Sequence, residues 1–73
     1  MTREKNDIEF LIKLGKNLKR IRQTKGISQY KLGMESMTDA SYIRKIERGQ
    51  QNVTILSLKN IAQVLEIDLK ELL

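Results

Sequence analysis

Ser41, Arg44, Lys45 and Arg48 carry hydrogen-bond donors, and three of the four carry positive charge. If Asp39 caps a helix, each following residue turns by about 100°, and these four fall within about 100° of one another. Ile43, Ile46 and Glu47 fall on the opposite side. The first face has no apolar residue and no acid, so it is suited to holding something negative while the isoleucines are held by a scaffold. It is not suited to covalent chemistry. The chain has no histidine and no cysteine to serve as base, nucleophile or metal ligand. It also lacks a phosphate-binding glycine loop and an evident pair of carboxylates in a pocket. An enzyme is the remotest reading, and no metal, cofactor or small-molecule ligand is expected.

The scaffold has to come from 73 residues, which allow one domain over 1–73. A chain this short buries only about 60% of the surface its unfolded form exposes, so its core is compact or shared with a second copy. The net charge of +5 is concentrated, because residues 13–25 carry +6 without an acid. A local basic surface on a small domain suits a polyanion, a solvated lysine face being the plain alternative. No apolar run approaches 18 residues and the start, MTREKND, has no apolar block, so neither membrane insertion nor export is expected and the chain reads as cytoplasmic.

Hydrophobic spacing stays near 3.6 throughout, with no strand signal, repeat, low-complexity tract or proline. The expected fold is all-α, a compact bundle of about five helices. Asp7 is read as the cap of the first, which runs through Ile8, Leu11, Leu14, Leu18 and Ile21 to Lys25 and stops at Gly26; residues 1–6 are expected to be mobile. The second half of this helix is the most basic stretch, with Lys16, Lys19, Arg20, Arg22 and Lys25. Ser28 caps a second helix from Gln29 to about Ser36, with Leu32 inward and Gly33 permitting a close approach. Only Met37 and Thr38 separate it from Asp39, which caps the third helix to Arg48, with Gly49 beyond. Two short helices joined this tightly, over about 28–48, make a helix-turn-helix, whose second member commonly enters the major groove of DNA. Thr54 caps a fourth helix, and Asp68 opens a last short one, LKELL, the two occupying 53–73.

These residues resemble the phage-repressor-like (XRE) helix-turn-helix family over about Leu14 to Leu73. The resemblance is carried by GISQ at the second helix, YIRKIERG at the third, N-x-T after it and the closing IAQVLEI. YIRKIERG with QNVTILSL further resembles the controller proteins of restriction-modification systems. The resemblance implies a lambda-repressor-like DNA-binding domain acting as a homodimer on a near-palindromic operator. Two departures stand out. Family members often have glycine in the turn where this chain has Met37, and controller proteins often have arginine where it has Ala40. A guanidinium there would reach guanine, whereas alanine offers apolar contact only, for instance with a thymine methyl, so the operator should differ from theirs.

Ser41, Arg44 and Lys45 are the candidate base and near-base contacts. Around them Ser28, Gln29, Asp39, Ala40, Tyr42, Arg48, Gln51 and Asn52 complete the candidate DNA-binding set. Gln29 begins the second helix, where its side chain and the free backbone N–H groups suit a phosphate. Tyr42 lies between the two faces, able to pack inward while its hydroxyl reaches a phosphate. Gln51, Asn52 and Thr54 either clamp the same strand or serve as turn and cap groups. Glu47 lies inward, and a buried carboxylate must have a partner; Arg22 is the candidate, and the resemblance implies the same pair. Leu65, Ile67, Leu69, Leu72 and Leu73 exceed what one short segment hides, which marks either a dimer interface or closure of the chain's own core. Double-stranded DNA and a second copy of the chain are therefore the expected partners. The competing reading keeps the fold but turns the third helix to an acidic protein, as an antitoxin or bridging coactivator would.

Overall fold

A computed structural model describes residues 2–73. Among them are four α-helices, α1 (Thr2–Thr24), α2 (Gln29–Glu35), α3 (Ala40–Glu47) and α4 (Ile55–Leu65), and no strand. The chain closes on a single 3-10 turn, Leu69–Glu71, so the fifth helix expected from LKELL is a turn rather than an α-helix. Only four residues separate the half-buried Ile67 from the buried Leu72, which leaves room for a single turn.

The start of α1 also differs from expectation. Asp7 is interior to the helix, not its cap, and the backbone is helical from Thr2, through most of the stretch expected to be mobile; Met1 lies outside the described residues. Arg, Glu and Lys are strong helix formers, and Glu4 in the first turn complements the positive end of the helix dipole, so nothing in this stretch halts the helix. At about 1.5 Å per residue α1 runs roughly 34 Å, nearly the full 37 Å long axis of the molecule.

The remaining starts are set by side-chain caps. Ser28, Asp39 and Thr54 accept from the backbone N–H groups of Lys31, Tyr42 and Ser57 at 3.0, 2.8 and 3.1 Å. All four helices end alike. A left-handed residue follows each, at Gly26, Met37, Gly49 and Glu66, with φ of 69°, 65°, 72° and 58°. In each case its N–H bonds back to the carbonyl three residues earlier and the next N–H to the carbonyl five residues earlier, a Schellman closure.

One core joins all the elements. Leu14, Leu18 and Ile21 of α1 meet Leu32 of α2, Ile43 and Ile46 of α3, and Leu58, Ile61, Ala62 and Leu65 of α4. Leu72 returns to this core and is fully buried. Its carbonyl accepts from Asn17 Nδ2 at 3.1 Å, which fastens the carboxy-terminal turn to α1. α3 packs against α1 and α2, and the spacing at both contacts depends on missing side chains. A Cβ on Gly33 would lie 2.4 Å from the carbonyl carbon of Asp39, and one on Gly15 would lie 2.3 Å from the carbonyl oxygen of Ile46. Both neighbours are backbone, so the two glycines fix how deeply α3 sits.

Candidate nucleic-acid interface

The turn that aims α3 is built from Ser36, Met37 and Thr38. The carbonyl of Gly33 accepts from Thr38 N at 2.7 Å, Thr38 Oγ1 at 3.2 Å and Ser36 Oγ at 3.3 Å. Three donors on one oxygen lock the end of α2 to the residue before Asp39. Met37 occupies the position where a glycine would be unstrained, and its side chain is 87% exposed. Methionine therefore makes the turn in the left-handed conformation itself, without a change of turn type.

Beyond the turn, α3 divides as its spacing predicts. Ile43 and Ile46 are buried in the core, while Ser41, Arg44, Lys45 and Arg48 are exposed. The four residues form one ridge on the outer side of the helix, with no carboxylate within ion-pairing distance of its cations among the described residues. Ala40 is half-buried at the start of the ridge.

Glu47 turns the other way. Its side chain is 4% exposed, and it accepts from Arg22 Nε at 2.6 Å, from Arg22 Nη2 at 3.0 Å and from Gln29 Nε2 at 3.1 Å. Arg22 Nη1 donates to the carbonyl of Ile27 at 2.9 Å. The buried charges are thus matched by hydrogen bonds, and no buried side-chain N or O atom among the described residues lacks a partner.

Several of the other expected contact residues have local occupations. Ser28 and Asp39 are exposed, but their side-chain oxygens cap α2 and α3. Tyr42 is half-buried and packs against the core. Gln29 is half-buried with its amide directed to Glu47, so its side chain braces the ion pair; sequence reasoning missed this, although a carboxylate with two oxygens asks for more than one donor. Asn52 is exposed in the loop after α3, Gln51 Nε2 donates to its carbonyl at 3.5 Å, and Thr54 caps α4.

A family model for the helix-turn-helix (HTH_3) matches residues 18–72. The chain belongs to the helix-turn-helix family. Its similarity to controller proteins of restriction-modification systems runs through most of its length. The crystal structure of the restriction-modification controller protein C.AhdI from Aeromonas hydrophila superposes with a TM-score of 0.84 at 40% identity, covering 86% of this chain and 96% of that one. Control protein C.BamHI of Bacillus amyloliquefaciens is 36% identical over 69 residues, 93% of this chain and 83% of its own. Control protein C.MunI of a Mycoplasma species is 37% identical over 68 residues, 92% and 89% of the two chains. In helix-turn-helix terms α2 is the first helix and α3 the second.

The helix-turn-helix domain disposes of part of the expected dimer surface. Leu65 and Leu72 are 0% exposed and belong to the chain's own core, held there by the fold-back of the carboxy-terminal turn onto α1. Ile67 and Leu69 are half-buried against the same core. The large apolar side chains left exposed at this end are Ile55, Leu56 and Leu73. Between α1 and the segment leading into α4, a hollow of 360 Å³ is lined by Phe10, Leu11, Leu14, Val53 and Leu58 together with Asp7 and Asn52. No helix among the described residues is long and apolar enough to cross a membrane.

Proposed function

We propose that this chain is a cytoplasmic transcriptional regulator that binds duplex DNA as a homodimer at a near-palindromic operator, and that it controls a restriction-modification operon. The observation that carries the reading is the ridge on α3. Ser41, Arg44, Lys45 and Arg48 project from a helix whose isoleucines are buried and whose approach is fixed by a locked turn. Such a ridge enters the major groove, where Arg44 can give two parallel hydrogen bonds to guanine O6 and N7. Ala40 in place of an arginine removes one such reader, so the operator has a guanine-independent position there. Gln51, Asn52 and Tyr42 supply backbone contacts flanking the ridge, and α2 supplies one at its start beside Gln29.

Two copies related by a twofold axis place two such ridges about 34 Å apart, one turn of the duplex. The exposed Ile55 and Leu56 support the contact between copies, since covering them with a second copy removes two large apolar side chains from water. The similarity to proteins named as restriction-modification controllers supports the operon assignment. Selection of bound duplexes from a random pool tests the function. An inverted repeat with half-sites about 10 base pairs apart is the expected product; a pool that stays random would instead point to an acidic protein as the partner of α3.

A further inference from the structure

We propose that the cleft between α1 and α3 seats one backbone phosphate of the DNA, with Lys19 of α1 as its outer arm. The inference rests on the reading of α3 as the helix that meets DNA, and it adds a contact from outside the helix-turn-helix.

A hollow of 290 Å³ is lined by Lys19 from α1, Gln29 from α2, and Arg44, Glu47 and Arg48 from α3. Lys19, Arg44 and Arg48 are exposed, and among the described residues none of them has a carboxylate within ion-pairing distance. The acid in the floor does not offset them. Glu47 is covered and already holds the Arg22 guanidinium and the Gln29 amide. Three free cations therefore surround a floor whose charge is matched. Arg44 in the last turn of α3 and Arg48 at its C-cap stand four residues apart, so their like charges repel unless an anion lies between them.

The shape of the site selects among anions. Ser41 and Lys45 belong to the convex ridge that meets base edges, whereas this hollow is concave and lies at the flank of the ridge, towards α1. The wall of a major groove entered by α3 is the sugar-phosphate backbone. Lysine is a compact point charge suited to a phosphate oxygen. A phosphate held between α1 and α3 fixes the register of α3 on the duplex without reading sequence itself. Arg44, at the border of ridge and hollow, is then held from one side by the phosphate while it reaches the bases on the other.

Arg20 provides the control, since it neighbours Lys19, is exposed and cationic, and does not line the hollow. Affinity for the selected operator and for random duplex is measured against salt for the unaltered chain, Lys19→Gln, Lys19→Arg and Arg20→Gln, each confirmed as folded by its thermal melt. Lys19→Gln is expected to weaken both duplexes by roughly tenfold at 0.1 M salt and to reduce the slope of log K against log salt by about 0.9, the value for one phosphate. Lys19→Arg and Arg20→Gln should keep the slope. Equal slope losses in Lys19→Gln and Arg20→Gln, or none in Lys19→Gln, would overturn the seat while leaving the DNA-binding reading intact. An unaltered chain that binds no duplex at all would remove both.

Discussion

Arg22 near the end of α1 holds Glu47 at the end of α3 through two hydrogen bonds, at 2.6 and 3.0 Å, so the ridge on α3 and the basic half of α1 form one rigid unit. The link matters because the two helices carry different parts of the proposed interface, and their relative position decides whether both can engage one duplex.

Removing the carboxylate leaves a guanidinium that is 10% exposed and still directed inward. Breaking a covered pair of this kind costs several kcal/mol, because the remaining guanidinium keeps the Ile27 carbonyl but has no counter-charge. Glu47→Ala is expected to lower stability by about 3 kcal/mol, and in a domain of this size that moves the melting temperature down by more than about 10 °C. A melt followed by circular dichroism checks it; an unchanged midpoint would show that the pair contributes nothing to stability.

Met37 sits at φ 65° with its side chain 87% exposed. Glycine adopts this conformation without the clash between Cβ and the carbonyl, and almost no packing is lost with the side chain. Met37→Gly should stabilise the domain by about 1 kcal/mol, the relief of strain exceeding the extra freedom of the unfolded chain. Urea unfolding should show a higher midpoint at an unchanged slope, and a lower midpoint would mean that the exposed methionine makes a stabilising contact.

Leu56 is 60% exposed at the start of α4, next to Ile55 at 68%. An aspartate there leaves the core untouched but sets two carboxylates against each other across a twofold contact. Sedimentation of Leu56→Asp should give a monomer at concentrations where the unaltered chain is a dimer, with the melt of the monomer's own core little changed. A dimer that persists in Leu56→Asp would place the contact elsewhere.

The helix caps could be read from sequence because each is a local event. Ser28, Asp39 and Thr54 need only a side-chain oxygen and an N–H three residues on, and both are specified by the neighbouring chain. The division of α3 was equally accessible, since Ile43 and Ile46 fix the inward direction and leave Ser41, Arg44, Lys45 and Arg48 outward. What sequence misplaced depends on distant parts of the chain. Leu72 looks like an unpartnered apolar residue until Asn17, 55 positions away, is seen to hold its carbonyl. Gln29 looks like an exposed polar residue until the end of α3 arrives beside it and brings Glu47 within 3.1 Å. Asp7 is a good cap residue in a stretch where helix formers on its amino-terminal side already continue the helix.

The central claim is that the outward ridge of α3 reads bases, and Arg44 tests it most directly. Its guanidinium is exposed and has no carboxylate partner among the described residues, so Arg44→Ala should leave the melt unchanged. Affinity of Arg44→Ala is compared with that of the unaltered chain on the selected operator and on random duplex at one salt concentration. Loss of a bidentate contact to guanine should weaken operator binding by about 1–3 kcal/mol, roughly ten- to a hundredfold, beyond the smaller loss from the phosphate seat that the operator and random duplex share. Equal losses on the two duplexes would contradict the account, because Arg44 would then be neutralising phosphates without distinguishing one sequence from another.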